Sequence, residues 1–139
     1  MSNTRELLRW ATAALKEPEI ESPQLDAEVL LAHSLGLSRS ELYAQLDERP
    51  SVEAEDHFRS FVARRIQHEP VAYITGQKEF YGLELQVDHR VLIPRPETEI
   101  LVEQAIARIQ RMEKFRQEKM IRVLDCGTCS KQLRLPLLE

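Results

Sequence analysis

The feature that most constrains the fold of this 139-residue chain is the spacing of apolar residues three and four apart through its first seventy positions. This period places apolar side chains on one face of an α-helix. Capping residues and prolines divide the pattern into segments. Asn3 or Thr4 can cap a first helix that ends at Pro18, and Ser22-Pro23 can begin a second that ends at Gly36.

The same signals predict two further helices. Ser38 begins a third, with Glu41 three residues later as the other half of a capping box. Ser51 begins a fourth, which carries acidic residues near its start and Arg64 and Arg65 near its end, as the helix dipole favours. This half of the chain is therefore predicted to be an all-α helical bundle. The side chains expected to form its apolar faces are Leu7, Ala11, Ala14, Leu15, Leu25, Val29, Ala32, Leu35, Phe58, Phe61, Val62 and Ile66.

The pattern changes after Pro70. Aromatic and alternating residues around Gly82, in residues 79–87, are typical of a β-hairpin or a bulged strand pair. Residues 91–93 are predicted to be a third extended piece, because the residue before a proline is disfavoured in a helix. A long helix is expected from Pro96 to about Gln117, with Leu101, Ala105, Ile109 and Met112 along one side. Residues 121–125 then read as a short strand that runs into a turn.

Composition excludes several classes of protein. The chain is 42% hydrophobic and 30% charged, which is too apolar for a disordered chain, and no apolar run is long enough to span a bilayer. Residues 1–69 contain 8 basic and 13 acidic residues, so direct nucleic-acid binding is not expected. The amino terminus does not resemble a secretory signal, which leads us to expect a cytoplasmic protein without membrane contact.

Two segments could carry chemistry by their position alone. Pro94-Arg95-Pro96 brackets an arginine at the entry to the long helix, where it could be structural punctuation or part of a site. The predicted strand ends in Asp125 and is followed by Gly127-Thr128. The carboxyl end of such a strand is where an open α/β sheet binds its ligand, although an ordinary strand and turn would look the same.

The pair Cys126-x-x-Cys129 suggests a third possibility. Two thiols at this spacing after a strand can form a redox pair or half of a zinc site. No second such pair exists in the sequence, and the four histidines are widely scattered. We therefore expect no metal site, and a thiol-redox protein is retained as an alternative.

Four stretches in order resemble one known family. They are residues 70–76 (Pro-Val-Ala-Tyr-Ile-Thr-Gly), 79–83 (Glu-Phe-Tyr-Gly-Leu), 91–99 (Val-Leu-Ile-Pro-Arg-Pro-Glu-Thr-Glu) and 123–128 (Val-Leu-Asp-x-Gly-Thr, where x is any residue). Together they closely resemble the HemK/PrmC methyltransferases, which modify a glutamine of peptide chain release factors. The resemblance implies a helical release-factor-recognition domain (1–75), a β-hairpin linker (76–95) and the start of a Rossmann-like α/β methyltransferase domain (96–139).

The resemblance also implies an activity and its participants. The family transfers a methyl group from S-adenosylmethionine to the amide nitrogen of the Gly-Gly-Gln glutamine of release factors. Carried onto this sequence, the family's cofactor loop corresponds to Asp125, Gly127, Thr128, Cys129, Ser130 and Lys131. Arg95 and Thr98 lie in the motif that resembles the domain junction near the cofactor pocket.

The chain departs from the family pattern at this loop. The family has Gly-Thr-Gly-Ser-Gly where this sequence has Gly127-Thr128-Cys129-Ser130-Lys131, and a lysine would crowd a loop built for close backbone approach. The family's Asn-Pro-Pro-Tyr motif, which would carry the catalytic acceptors, is absent from the sequence. We therefore expect a truncated or frame-shifted chain that is inactive alone. The alternative is a non-catalytic module that binds a release factor.

Overall fold

The computed structural model describes residues 2–115. The chain divides into two units, Met1–Thr75 and Gly76–Glu139. Within the described residues no helix is both long enough and apolar enough to cross a membrane.

The first unit contains five helices. They are α1 (Thr4–Lys16), α2 (Pro23–Leu35), α3 (Arg39–Ala44), α4 (Val52–Ile66) and α5 (Val71–Thr75). The predicted starts of the first four helices are confirmed, and the short apolar stretch after Pro70 forms the additional helix α5.

Local capping explains where these helices begin. Asn3 and Ser38 each form a complete capping box, with Glu6 and Glu41 respectively. The Ser51 side chain accepts a hydrogen bond from the Ala54 N–H at the start of α4. Ser22, which was also expected to cap, makes no side-chain capping hydrogen bond, so α2 begins at Pro23 without that contribution.

The core of this unit lies between α1, α2 and α4. The buried apolar side chains of the cluster are Leu7, Ala11, Leu15, Ile20, Ala27, Leu30, Leu31, Ala32, Leu42, Phe58, Val62 and Ile74. The predicted face of α2 is partly wrong: Leu25 is 44% exposed, whereas Ala27, Leu30 and Leu31 are fully buried. The reason is that α2 packs against α1, α3, α4 and α5, and these neighbours cover a different and broader side of the helix than the predicted stripe.

The second unit begins with a β-hairpin. Strands β1 (Gln77–Phe80) and β2 (Leu83–Gln86) pair antiparallel, with Phe80 opposite Leu83 across a two-residue turn. Both turn residues, Tyr81 (φ 51°) and Gly82 (φ 73°), have positive φ, as a tight hairpin turn of the right twist requires. The hairpin prediction is confirmed.

A long helix follows the hairpin. Helix α6 spans Pro96–Phe115, and its predicted start is confirmed. The connecting residues 91–95 form neither strand nor helix, so the third extended piece pairs with no strand in the described part of the chain. The predicted strand at 121–125 lies outside the described residues.

Two residues at helix ends have a left-handed backbone conformation, so two opposite substitutions can be compared for their effect on stability. Gly36 ends α2 at φ 66°, and a Cβ added there would meet no atom within 4 Å, so Gly36→Ala should cost only backbone energy, about 1 kcal/mol. His68 follows α4 at φ 63°, and His68→Gly should stabilise the chain by a similar ~1 kcal/mol. Urea unfolding followed by circular dichroism measures both. If the two substitutions changed the free energy of unfolding in the same direction, the left-handed conformation assigned to Gly36 and His68 would be wrong.

Candidate functional site

The predicted junction residues lie at the start of α6. Pro94 is buried, whereas Arg95 and Thr98 are exposed. The structure joins Arg95 and Thr98 only through the backbone, by a hydrogen bond of 3.0 Å from the Thr98 N–H to the Arg95 carbonyl. Neither side chain has a hydrogen-bond partner among the side chains that the structure describes, which end at residue 111.

The remaining predicted site residues lie outside the described residues. These are Asp125, Gly127, Thr128, Cys129, Ser130 and Lys131, together with the Cys126–Cys129 pair. Among the residues that are described, no group of three or more His, Cys, Asp or Glu side chains could hold a metal ion.

Glu99 is a junction residue whose contact was not foreseen from the sequence. One of its carboxylate oxygens accepts a hydrogen bond of 3.1 Å from the Tyr81 N–H, eighteen residues earlier in the chain. The contact ties the hairpin turn to the first turn of α6. From the sequence, Glu99 was only an acid suited to the amino end of a helix. Its partner depends on where the folded hairpin turn lies, which no local pattern encodes.

An exposed ion pair follows the hairpin. The Asp88 carboxylate accepts hydrogen bonds from both the guanidinium and the backbone N–H of Arg90. The hydrogen bonds from the Arg90 side chain lower the pKa of Asp88 to about 2. Both groups are solvent-accessible, so this pair orders the loop locally rather than forming a recess for a ligand.

The first unit contains a buried carboxylate that no local sequence pattern predicts. The Glu28 side chain is 3% exposed, although glutamate is ordinarily a surface residue. Its Oε1 accepts hydrogen bonds from the Tyr43 hydroxyl at 2.5 Å and from Gln24 Nε2 at 2.9 Å. Its Oε2 accepts from Arg39 Nη2 at 2.5 Å and Nε at 3.2 Å. The carboxylate therefore joins α2 to α3 through charged and neutral donors.

The environment keeps this carboxyl ionised. Burial by itself raises the pKa of Glu28, but the hydrogen bonds from Tyr43, Gln24 and Arg39 outweigh it, and the pKa lies below its usual value. In return, the hydrogen bond to Glu28 raises the pKa of the Tyr43 phenol. A buried ion with all its contacts satisfied gives the surrounding side chains fixed positions.

Glu28 lies at a shallow, open cleft on the surface of this unit. The cleft has a volume of about 510 Å³. Its walls come from α1, from the start of α2 and from Arg39 of α3; the lining side chains are Thr12, Lys16, Ser22, Pro23, Gln24, Leu25, Glu28 and Arg39. The cleft combines an exposed leucine, two cations and several hydrogen-bonding groups. This mixture suits the binding of another polypeptide better than it suits acid–base chemistry, because the carboxylate at the cleft is already fully hydrogen-bonded.

Three curated relatives of this chain are all named as methyltransferases. The chain is 46% identical over 124 residues to a release factor glutamine methyltransferase of Rhodopirellula baltica, a match that covers 89% of this chain and 41% of the relative. A protein of the same name from Chlorobaculum tepidum is 44% identical over 75% of this chain and 35% of its own length. A bifunctional methyltransferase of Rickettsia conorii is 43% identical over 71% of this chain and 19% of its own length.

The chain thus spans less than half the length of these curated relatives. The family model for the PrmC N-terminal domain matches residues 6–76. That match covers most of α1 and all of α2 to α5, together with the cleft and the Glu28 network. Because it extends over half of the sequence, the chain belongs to the PrmC N-terminal domain family.

Proposed function

We propose that this chain is the amino-terminal part of a release factor glutamine methyltransferase and that residues 1–75 recognise the release factor. One observation carries the proposal: the 46% identity extends over 124 residues, so it continues beyond the N-terminal domain into the hairpin and α6. A helical module borrowed by an unrelated protein would be expected to lose that similarity after residue 76.

The proposal gives the rest of the chain a role. Residues 76–95 are the hairpin linker, and residues 96–139 begin a Rossmann-like methyltransferase domain. The exposed side chains of α6 support this: Ile100 is 60% and Leu101 69% exposed, and an α/β domain covers such helix faces with its sheet. Asp125, Gly127, Thr128, Cys129, Ser130 and Lys131 would then be the loop facing S-adenosylmethionine, with Arg95 and Thr98 at the junction.

The reaction proposed for the whole enzyme depends on orientation. S-adenosylmethionine, when bound, supplies an electrophilic methyl group. The glutamine amide nitrogen is a weak nucleophile because its lone pair is delocalised into the carbonyl, so the substrate must be held in line with that group. Residues 1–75 contribute by binding the body of the release factor. Because Arg95 and Thr98 are both exposed, they do not by themselves form an enclosed cofactor site. Since Cys129 and Lys131 stand where the family has glycines, we propose for this chain docking without methyl transfer, in the cytoplasm where release factors act.

Isothermal titration calorimetry of the full 139-residue chain tests the docking. We expect saturable one-to-one binding to a bacterial peptide chain release factor, and no heat of binding with S-adenosylmethionine alone. Bovine serum albumin at equal concentration serves as the control protein. If the release factor does not bind, the recognition role is wrong. Binding of S-adenosylmethionine in the micromolar range would instead show that the departure from the family's glycine loop is tolerated.

A further inference from the structure

Helix α2 has apolar residues beside the cleft as well as in the core of the unit. Leu25 was predicted to face the core, yet it is 44% exposed at the rim of the cleft, next to Pro23. The core is complete without it, since Ala27, Leu30 and Leu31 fill the interior side of the helix. Leu25 and Pro23 therefore give the cleft an apolar edge, against which an apolar side chain of a bound segment can pack.

The cleft is lined by two cations and one carboxylate, although its unit is acidic overall. Residues 1–75 contain 8 basic and 13 acidic residues, yet both cations that line the cleft, Lys16 and Arg39, are exposed at its walls. The one carboxylate that lines it, Glu28, is buried and already bound to Arg39. Lys16 makes no ion pair within the described residues. An incoming carboxylate would therefore find an unpaired ammonium group.

Two of the side chains that line the cleft are held in place before any partner arrives. Gln24 and Arg39 are both held by the Glu28 carboxylate, and Tyr43 holds the same carboxylate from α3. Binding to fixed side chains loses less conformational entropy than binding to mobile ones. The Glu28 network thus acts on recognition indirectly, by positioning Gln24 and Arg39.

We propose that this cleft is the docking site for a segment of the release factor that inserts an apolar side chain against Leu25 and Pro23 and places a carboxylate at Lys16. This inference rests on the proposed recognition function and adds to it the surface used and the chemistry of the segment bound. A nucleic acid or an anionic membrane does not fit, because either presents many anionic groups, whereas the cleft offers, among the described residues, a single unpaired cation, Lys16.

Four variants of the full chain test the assignment by calorimetry with a bacterial release factor. Leu25→Ala should weaken binding about 5-fold or more, and Lys16→Glu about 10-fold, with the second effect decreasing as salt is added. Each has a matched control. Val52→Ala removes another apolar side chain, 56% exposed on α4, and Arg9→Glu reverses another exposed cation on α1. Both controls should bind within 2-fold of the wild type, about 0.4 kcal/mol by the tenfold-per-1.4 relation.

The outcomes separate the two proposals. If the wild-type chain binds and Leu25→Ala and Lys16→Glu bind equally well, the cleft assignment is wrong while the recognition function stands. Weakening by the control variants to the same extent would also overturn the assignment, because the effect would then not be specific to the cleft. If the wild type fails to bind, both proposals fall. Equal thermal midpoints among the five proteins exclude loss of folding as the cause of weaker binding.

Discussion

Replacing Glu28 with alanine is expected to lower the free energy of unfolding by about 2–4 kcal/mol. The change removes four hydrogen bonds from a side chain that is 3% exposed and leaves a void beneath α3. The loss should stay below that of a fully buried ion pair because the Arg39 side chain is 54% exposed and can be solvated by water. Urea unfolding followed by circular dichroism measures the difference.

An exposed ion pair provides the control for this prediction. Asp47 accepts hydrogen bonds from Arg5, but its side chain is 84% exposed. Asp47→Ala should therefore cost about 1 kcal/mol or less. If the Asp47 and Glu28 variants lost equal free energy of unfolding, the Glu28 network would stabilise the fold no more than an exposed ion pair does.

The effect at Glu28 should also depend on pH, with a defined sign. The pKa of Glu28 is lower in the folded chain than its ordinary value of 4.5. Its ionisation therefore stabilises the fold fully above that ordinary value, and the stabilisation is lost as the pH falls through the folded pKa. The stability difference between wild type and Glu28→Gln should be constant near neutral pH and should decrease below about pH 4.5.

The sequence predicted those parts of the fold that neighbouring residues determine. Asn3 with Glu6, and Ser38 with Glu41, are three residues apart, so the helix starts could be located without knowledge of the packing. Gly82 could be recognised as a turn residue between two alternating strands for the same reason. The start of α6 at Pro96 followed from proline's fixed φ.

The parts that escaped prediction depend on residues far apart in the chain. Glu28 meets Tyr43 fifteen residues away, and Glu99 meets Tyr81 eighteen residues away. The apolar period of α2 fits more than one face, and only the positions of four neighbouring helices decide that Leu25 remains outside the core. The candidate site residues beyond position 115 stay predictions. The cleft was not predicted, because its lining residues come from separate parts of the chain that meet only in the folded unit.

Phe58→Ala should destabilise the chain more than any change discussed above, by about 3–5 kcal/mol. The Phe58 ring is fully buried on α4, and its removal leaves a cavity at the centre of the helical core. A unit of this size has a total stability of roughly 4–11 kcal/mol, so the variant would keep only a fraction of it. Phe61→Ala is the matched control: this ring is only half-buried, so its loss should cost less.

Trp10, the single tryptophan of the sequence, reports the same change optically. Its indole meets the Phe58 ring edge to face at 6.2 Å, and the Arg59 guanidinium lies 4.6 Å above it. Without Phe58 the indole loses a ring that packs against it, so the tryptophan fluorescence of the folded chain at low urea should shift to longer wavelength. The urea concentration at the midpoint of unfolding should also be lower than in the wild type. Phe61→Ala should leave the native spectrum unchanged, because Phe61 packs with His33 and His57 instead. A native spectrum retained in Phe58→Ala, with a midpoint equal to that of Phe61→Ala, would contradict the packing of α1 on α4 described above.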